Sequence, residues 1–233
     1  PVQTTNPAIG LAAGNYTVTV TDQKGCFTTR DTTVLEPDAL LIASMSMDSA
    51  SCNGVADGTA TANGITGGNG INSFSWNTTP VQTTNPAIGL AAGNYTVTVT
   101  DQKGCFTTRD TTVLEPVILS VDTAFQDSVS CNGLFDGSAS VLGAGGNGIY
   151  SYLWSDGQTT ATASNLTAGT YNVTITDQKG CFKDTSVTVL EPDALTVDTS
   201  FQDSVSCNGL FDGSASVLGA GGNGIYSYLW SDG

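Results

Sequence analysis

The 233-residue chain carries 21 acidic side chains against 6 basic ones and no histidine, for a net charge of −15. Such a polyanion repels nucleic acid and anionic membrane surfaces, which excludes nucleic-acid partners, and a chain without histidine has no histidine-based triad or histidine metal site. Charged residues make up only 12% of the chain, so Thr, Ser, Asn and Gly must supply the polar surface, a composition that points to all-β structure with tight turns; no apolar stretch approaches a membrane span, so no membrane insertion is expected.

Residues 1–37 recur without a change at 80–116. Residues 121–157 recur at 197–233 with Ala124 against Ser200 as the only difference. The offsets, 79 and 76 residues, set a tandem period near 77. A period of that length suits one small domain per repeat. The division expected is therefore 1–37 as the C-terminal half of a repeat, 38–116 and 117–192 as complete repeats, and 193–233 as the N-terminal half of another. On this reading the chain is a window on a longer polypeptide.

In the repeat 38–116, Phe74 and Trp76 share one strand parity, with Asn72 at the preceding place. Leu90-Ala91-Ala92-Gly93 then leads into Tyr95–Thr100, where apolar and polar residues alternate as in a half-buried strand. A Leu, a small turn with Gly and a Tyr opening a strand resembles the tyrosine corner of β-sandwiches. Asp101–Gly104 is a hairpin signal, and a last strand follows through Val113. Glu115-Pro116 ends it, since proline cannot donate to a ladder.

The repeat 117–192 reads the same way. Asn132-Gly133 and Asp136-Gly137 mark a tight turn before the strand Ser138–Leu142. Tyr150, Tyr152 and Trp154 share a parity that predicts a core-facing strand with a buried Trp. Tyr171–Thr176, the Asp177–Gly180 turn, Val187, Val189 and Glu191-Pro192 close the repeat. Six or seven short strands per repeat and no helix are expected. The fold class is thus all-β, tandem immunoglobulin-like β-sandwich repeats, with the short Glu-Pro links stacking them end to end as a rod. The alternation is expected to bury most aromatic side chains.

Each repeat carries two cysteines, one in a Ser-Cys-Asn-Gly turn (Cys52, Cys131, Cys207) and one in a Lys-Gly-Cys-Phe hairpin (Cys26, Cys105, Cys181). No Cys-x-x-Cys accompanies them, which argues against zinc, and an even count per module in an exported chain favours disulfides. Pairing inside a repeat, 52–105 and 131–181 with Cys26 and Cys207 bonded outside the segment, is favoured over pairing across the boundary (26–52, 105–131, 181–207). Two extended strands separate the partners of the second scheme. Another route between sequential domains stays open.

Cys131–Ser140, Gly145–Gly157 and Asn165–Cys181, read together, resemble the SprB repeat. The resemblance implies a place in very large cell-surface adhesins of Bacteroidota, including gliding-motility adhesins exported by type IX secretion. The repeat 38–116 departs from it at Asn77-Thr78-Thr79-Pro80, which stands where the other has Ser-Asp-Gly.

Calcium is the one cofactor to weigh. Asp57 and Asp136 lie in the Asn-Gly-x-x-Asp-Gly turn, Asp101 and Asp177 at the hairpin, and Glu115 and Glu191 at the repeat junctions. Oxygen-rich junctions bind Ca²⁺, but Asp also makes Asx turns, and the absence of a dense Asp-x-Asp-x-Asp loop favours the turns. Gly-Gly-Asn-Gly at 67–70 and 145–148 lacks the Lys-Ser/Thr of a phosphate cradle and reads as a loop. Ser49, Ser128 and Ser204 sit in Asp-Ser-small/apolar triplets like the O-glycosylation site of Bacteroidota. No catalytic residue is expected. The function expected is a structural, adhesive stalk at the bacterial cell surface, with surface polysaccharides or other surface components as partners and lateral self-association. The alternatives are a carbohydrate-binding or spacer array of a secreted polysaccharide-degrading enzyme and a self-assembling extracellular sheath.

Overall fold

In the computed structural model the described residues are 2–231; Pro1, Asp232 and Gly233 lie outside them, as does the side chain of Thr123. Every regular element among the described residues is a β-strand. The chain divides into two compact units, one of residues Pro1–Ser49 and Ala56–Leu114, the other of Ala50–Val55 and Glu115–Gly233.

The first unit holds the hairpin β1 (Gly14–Thr21) and β2 (Phe27–Val34), followed by β3 (Leu41–Asp48), β4 (Gly58–Thr66), β5 (Ser73–Trp76), β6 (Ala87–Leu90), β7 (Gly93–Thr100) and β8 (Phe106–Val113). Strands β3 to β8 form two antiparallel sheets, ordered β3-β4-β6 and β5-β7-β8. Inward residues of both sheets make one core: Ile42, Ala60, Ala62, Ala87 and Leu90 from one, Trp76, Val97, Val99 and Val113 from the other. Small alanines on β4 and β6 face the large Trp76, which lets the two sheets interdigitate. At one sheet edge Arg109 on β8 donates to the carbonyls of Ile42 and Ala43 on β3, at 2.5 and 2.7 Å.

The second unit repeats this plan with β9 (Ser120–Asp127), β10 (Gly137–Ala144), β11 (Ser151–Trp154), β12 (Thr162–Leu166), β13 (Gly169–Thr176) and β14 (Phe182–Val189). Its sheets are β12-β10-β9 and β11-β13-β14, around Val141, Trp154, Val173, Ile175 and Val189. The unit also holds a two-stranded sheet of β15 (Thr196–Asp203) and β16 (Ser214–Ala220).

Six strands split three and three is the A-B-E and C-F-G arrangement of an immunoglobulin-type sandwich without its D strand. The buried Trp stands on the C strand in both cases, Trp76 on β5 and Trp154 on β11. Each indole donates its Nε1–H to a loop carbonyl, Thr84 at 2.9 Å and Thr160 at 2.8 Å, so burial strands no polar atom. The tyrosine corner also forms: Tyr95 Oη donates to the Ala91 carbonyl at 3.0 Å and Tyr171 Oη to the Thr167 carbonyl at 3.1 Å.

Two local details differ from expectation. The loop that departs at Asn77–Pro80 is closed as its counterpart is, because Trp76 N–H reaches the Gln82 carbonyl and Trp154 N–H reaches the Gln158 carbonyl, both at 2.9 Å. The burial of most aromatics is corrected: of the 8 phenylalanines, Phe27, Phe106, Phe125, Phe135, Phe182, Phe201 and Phe211 are exposed. They sit at hairpin bases, in turns and on outer faces, where strand alternation puts no core.

Candidate functional site

The Ser-Cys-Asn-Gly turn is folded by its own backbone. Val55 N–H donates to the Cys52 carbonyl at 3.1 Å, and Gly54 takes φ +76, which L side chains rarely adopt. The turn is then held from the repeat junction. Glu115 Oε2 accepts the Gly54 N–H at 2.6 Å, and Asn53 Nδ2 donates to the Pro116 carbonyl at 3.1 Å. The next copy has the same lock: Glu191 Oε2 accepts from Gly133 N–H at 3.0 Å, and Asn132 donates to the Pro192 carbonyl at 3.1 Å. Glu-Pro therefore ends a strand and fastens the Asn-Gly turn as well.

The hairpin between β13 and β14 is built around one carboxylate. Asp177 Oδ1 accepts the N–H of Lys179 at 2.8 Å and of Cys181 at 3.0 Å. Its Oδ2 accepts the N–H and the Nδ2–H of Asn147, at 2.8 and 2.9 Å. Asp101 is bonded alike to Lys103, Cys105 and Asn69. Burial opposes ionisation of both carboxyls, and the hydrogen bonds from asparagine side chain and backbone amides overcome it. Asp101 is held down to about 2 and Asp177 below the ordinary carboxylate range. Gly145-Gly146-Asn147-Gly148 is a loop fitted onto this carboxylate. A Cβ on Gly146 would stand 2.6 Å from Asp177 Oδ2, and one on Gly145 would stand 2.1 Å from the Ile118 carbonyl. The amide that an anion would need is already spent on an aspartate, which disposes of a phosphate cradle here.

Turn and hairpin meet covalently. Cys52 and Cys181 form a disulfide across 129 residues of sequence, with their Cα atoms 5.7 Å apart. Asn147 Nδ2 also donates to the Ser51 carbonyl at 2.8 Å, and Cys181 Sγ lies 3.3 Å from the same oxygen. The bond thus links the turn of one repeat to the hairpin of the next. Cys26, Cys105, Cys131 and Cys207 are exposed thiols.

This corrects the favoured pairings 52–105 and 131–181. Along β14 the pairing runs from Gly169 opposite Val189 to Thr176 opposite Phe182. The Cys131 turn is tied to Glu191, beyond the Val189 end, while Cys181 precedes Phe182 at the other end. An eight-residue strand spans about 26 Å, and a disulfide bridges at most about 7 Å between Cα atoms. Within one sandwich the two cysteines are therefore at opposite poles. No cross-boundary pair 26–52, 105–131 or 181–207 forms either.

The carboxylates weighed for calcium are spread over these separate tasks. Asp136 accepts from Ser130 N–H and Oγ–H, chiefly the hydroxyl, and is lowered for that reason. Asp101 and Asp177 hold hairpins, Glu115 and Glu191 hold turns, and Asp57 is also engaged. Among the described residues no three carboxylates or thiols gather as metal ligands would. Ser49, Ser128 and Ser204 are all exposed, next to strand ends. The junction lock and the bridge were not read from sequence as one site. The signal for it was present in the fixed company that each Cys-Asn-Gly keeps with a Glu-Pro.

Residues 123–159 and 199–233 match the family model described as SprB repeat. No curated protein matches the chain. Among solved structures, the chain is similar to the N-terminal eight Ig domains of Down Syndrome Cell Adhesion Molecule isoform 1.30.30, at 14% identity and TM-score 0.30, over 78% of this chain and 28% of that one. It is also similar to the amphioxus IgVJ-C2 molecule, at 12% identity and TM-score 0.26, over 63% of this chain and 96% of that one. The chain thus spans under a third of the first of these structures.

Proposed function

We propose that the chain is a non-catalytic, structural and adhesive repeat segment of a large bacterial surface adhesin, exported by type IX secretion and serving attachment and gliding. The observation that carries this reading is the Cys52–Cys181 bond, which ties the turn of one repeat to the hairpin of the next. A covalent link between successive repeats suits a stalk that must transmit pulling force without repeats peeling apart. It also suits an oxidising, extracellular location. Calcium is given no part, since the carboxylates are already taken by amides and hydroxyls. Antibody raised against the chain should label intact, unpermeabilised cells of the source organism, and deletion of the coding region should weaken attachment. Labelling only after permeabilisation would overturn the reading.

The exposed phenylalanines favour one second reading, a carbohydrate-binding array. Phe106 and Phe182, each next to a hairpin cysteine, recur once per repeat, and repeated weak contacts add up through multivalency. Retention on immobilised surface polysaccharide, lost in a Phe106→Ser/Phe182→Ser double variant, would support it.

A further inference from the structure

The Cys52–Cys181 bond encloses most of both sandwiches and leaves one strand of each outside. The two cysteines are 129 residues apart in sequence, yet their Cα atoms are 5.7 Å apart. Strands β4 to β13 lie between them. β3 ends at Asp48, shortly before Cys52, and β14 starts at Phe182, directly after Cys181. Each of these two flanking strands is the outer member of its sheet, in the orders β3-β4-β6 and β11-β13-β14.

We propose that the bond is a tension bypass. A pull along the chain enters through β3, crosses from Cys52 to Cys181 and leaves through β14, and the sequence between the two cysteines bears no load. This deepens the stalk reading of the chain and rests on it for its purpose. The physical reason is length. A strand rises about 3.3 Å per residue, and a fully stretched chain reaches about 3.6 Å. Stripping an eight-residue strand such as β3 or β14 from its sandwich therefore gains only about 2 Å along the pull. Force favours unfolding in proportion to the length released, so it has little hold on either loaded strand. Paying out the enclosed residues would release about 440 Å, and the bond withholds all of it.

The surroundings of the two strands and of the crossing suit this task. β3 is paired with β4 from Leu41 to Asp48, and Arg109, inside the enclosed stretch, grips it at the carbonyls of Ile42 and Ala43. β14 is paired with β13 from Phe182 to Val189. At the crossing, Asn147 Nδ2 donates to the Ser51 carbonyl at 2.8 Å and to Asp177 Oδ2 at 2.9 Å. Asp177 Oδ1 accepts the Cys181 N–H at 3.0 Å. The backbone on either side of the sulfur bridge is thus also held by one Asn147–Asp177 pair.

The test pulls single copies of the whole chain. Asp38 and Asp193, both exposed, are each replaced by an azide-bearing residue that takes a pulling handle. Free thiols are alkylated, and mass mapping checks the 52–181 link. Without reductant the stretch between the handles should lengthen by less than about 50 Å. Dithiothreitol is oxidised to its cyclic disulfide as the bond becomes two thiols, and it should add about 440 Å of contour length. Cys52→Ser should show the longer length with no reductant, and contour length is read whether or not that variant folds. A chain without the 52–181 link, a release of the enclosed length without reductant, or equal lengths before and after reduction would each overturn the proposal. Pulling purified molecules tests the bypass alone, and labelling of cells tests the surface reading alone, so the failure of one is distinct from the failure of the other.

Discussion

Residues 1–37 and 80–116 are the same sequence placed in two surroundings. Hairpins β1–β2 and β7–β8 have the same register, from Gly14 opposite Val34 and Gly93 opposite Val113 to the last pair. They share local bonds too. Thr17 donates to Asp31 as Thr96 donates to Asp110, both at 2.7 Å, and Tyr16 makes the corner bond that Tyr95 makes. The difference lies in what covers them. Val99 is sealed under a second sheet and Val20 faces solvent. Cross-strand pairs and a carboxylate-held turn give the hairpin the same register in both places.

The sharpest way to break that comparison is to cut the same aromatic from a buried and an exposed place. Trp154→Ala should cost about 3–5 kcal/mol in the second unit. Trp230→Ala, at the corresponding place in residues 197–233, should stay within about 0.5 kcal/mol, because Trp230 is 45% exposed. Urea unfolding followed by circular dichroism measures both; equal losses would mean that Trp230 is packed in solution.

Next in size is the bridge. Cys52→Ser should lower the stability of the second unit by roughly 2–4 kcal/mol, because the long loop that it closes is freed in the unfolded chain. Cys131→Ser, at the same turn position without a bond, should leave the dilute chain unchanged. Thermal melts under non-reducing conditions decide it.

The two aspartates of the identical hairpins separate on acidification. Both carboxyls are lowered, Asp22 mainly by the Cys26 amide, and Asp101 to about 2 against burial, with Asn69 adding bonds that Asp22 lacks among the described residues. A carboxyl depressed in the folded state gives stability above its unfolded pKa, near 4, and loses it as pH falls through the folded value. The first unit should therefore melt progressively lower between pH 4 and about 2. Asp101→Asn should flatten that slope more than Asp22→Asn does; equal slopes would assign the effect to the hairpin alone.

The smallest effect concerns the two closed sandwiches. Tyr150 fills its place and donates to the Gly145 carbonyl at 2.8 Å, whereas Asn72 at the corresponding place buries Oδ1 without a partner. An unmet buried acceptor costs about 1–3 kcal/mol. Asn72→Tyr should recover about 1 kcal/mol in the first unit, read as a higher urea midpoint with unchanged slope.

Much of the architecture was legible in the sequence because its signals are local. Alternation around Tyr95 and Tyr171, the shared parity of Phe74 and Trp76, and the Asp-Gln-Lys-Gly turns each act within a few residues, and the strands form where they say. Exposed Phe106 and Phe182 escaped that reading, since alternation tells which face a side chain takes and cannot tell whether anything covers it. The bridge escaped it for a related reason. Spacing along the chain ranks cysteine pairs by loop length, while the choice between Cys105 and Cys181 for Cys52 turns on which pole of a sandwich each occupies.

The sequence by itself determined the period, the strands, their inward faces, the corner tyrosines and the turns, because hydrogen bonding and steric preference act between near neighbours. Only the tertiary structure decided which copies of one sequence are buried, which carboxylates are occupied and which cysteines meet. Those outcomes depend on what lies across a sheet or beyond a strand's end, and two identical stretches can differ in nothing else.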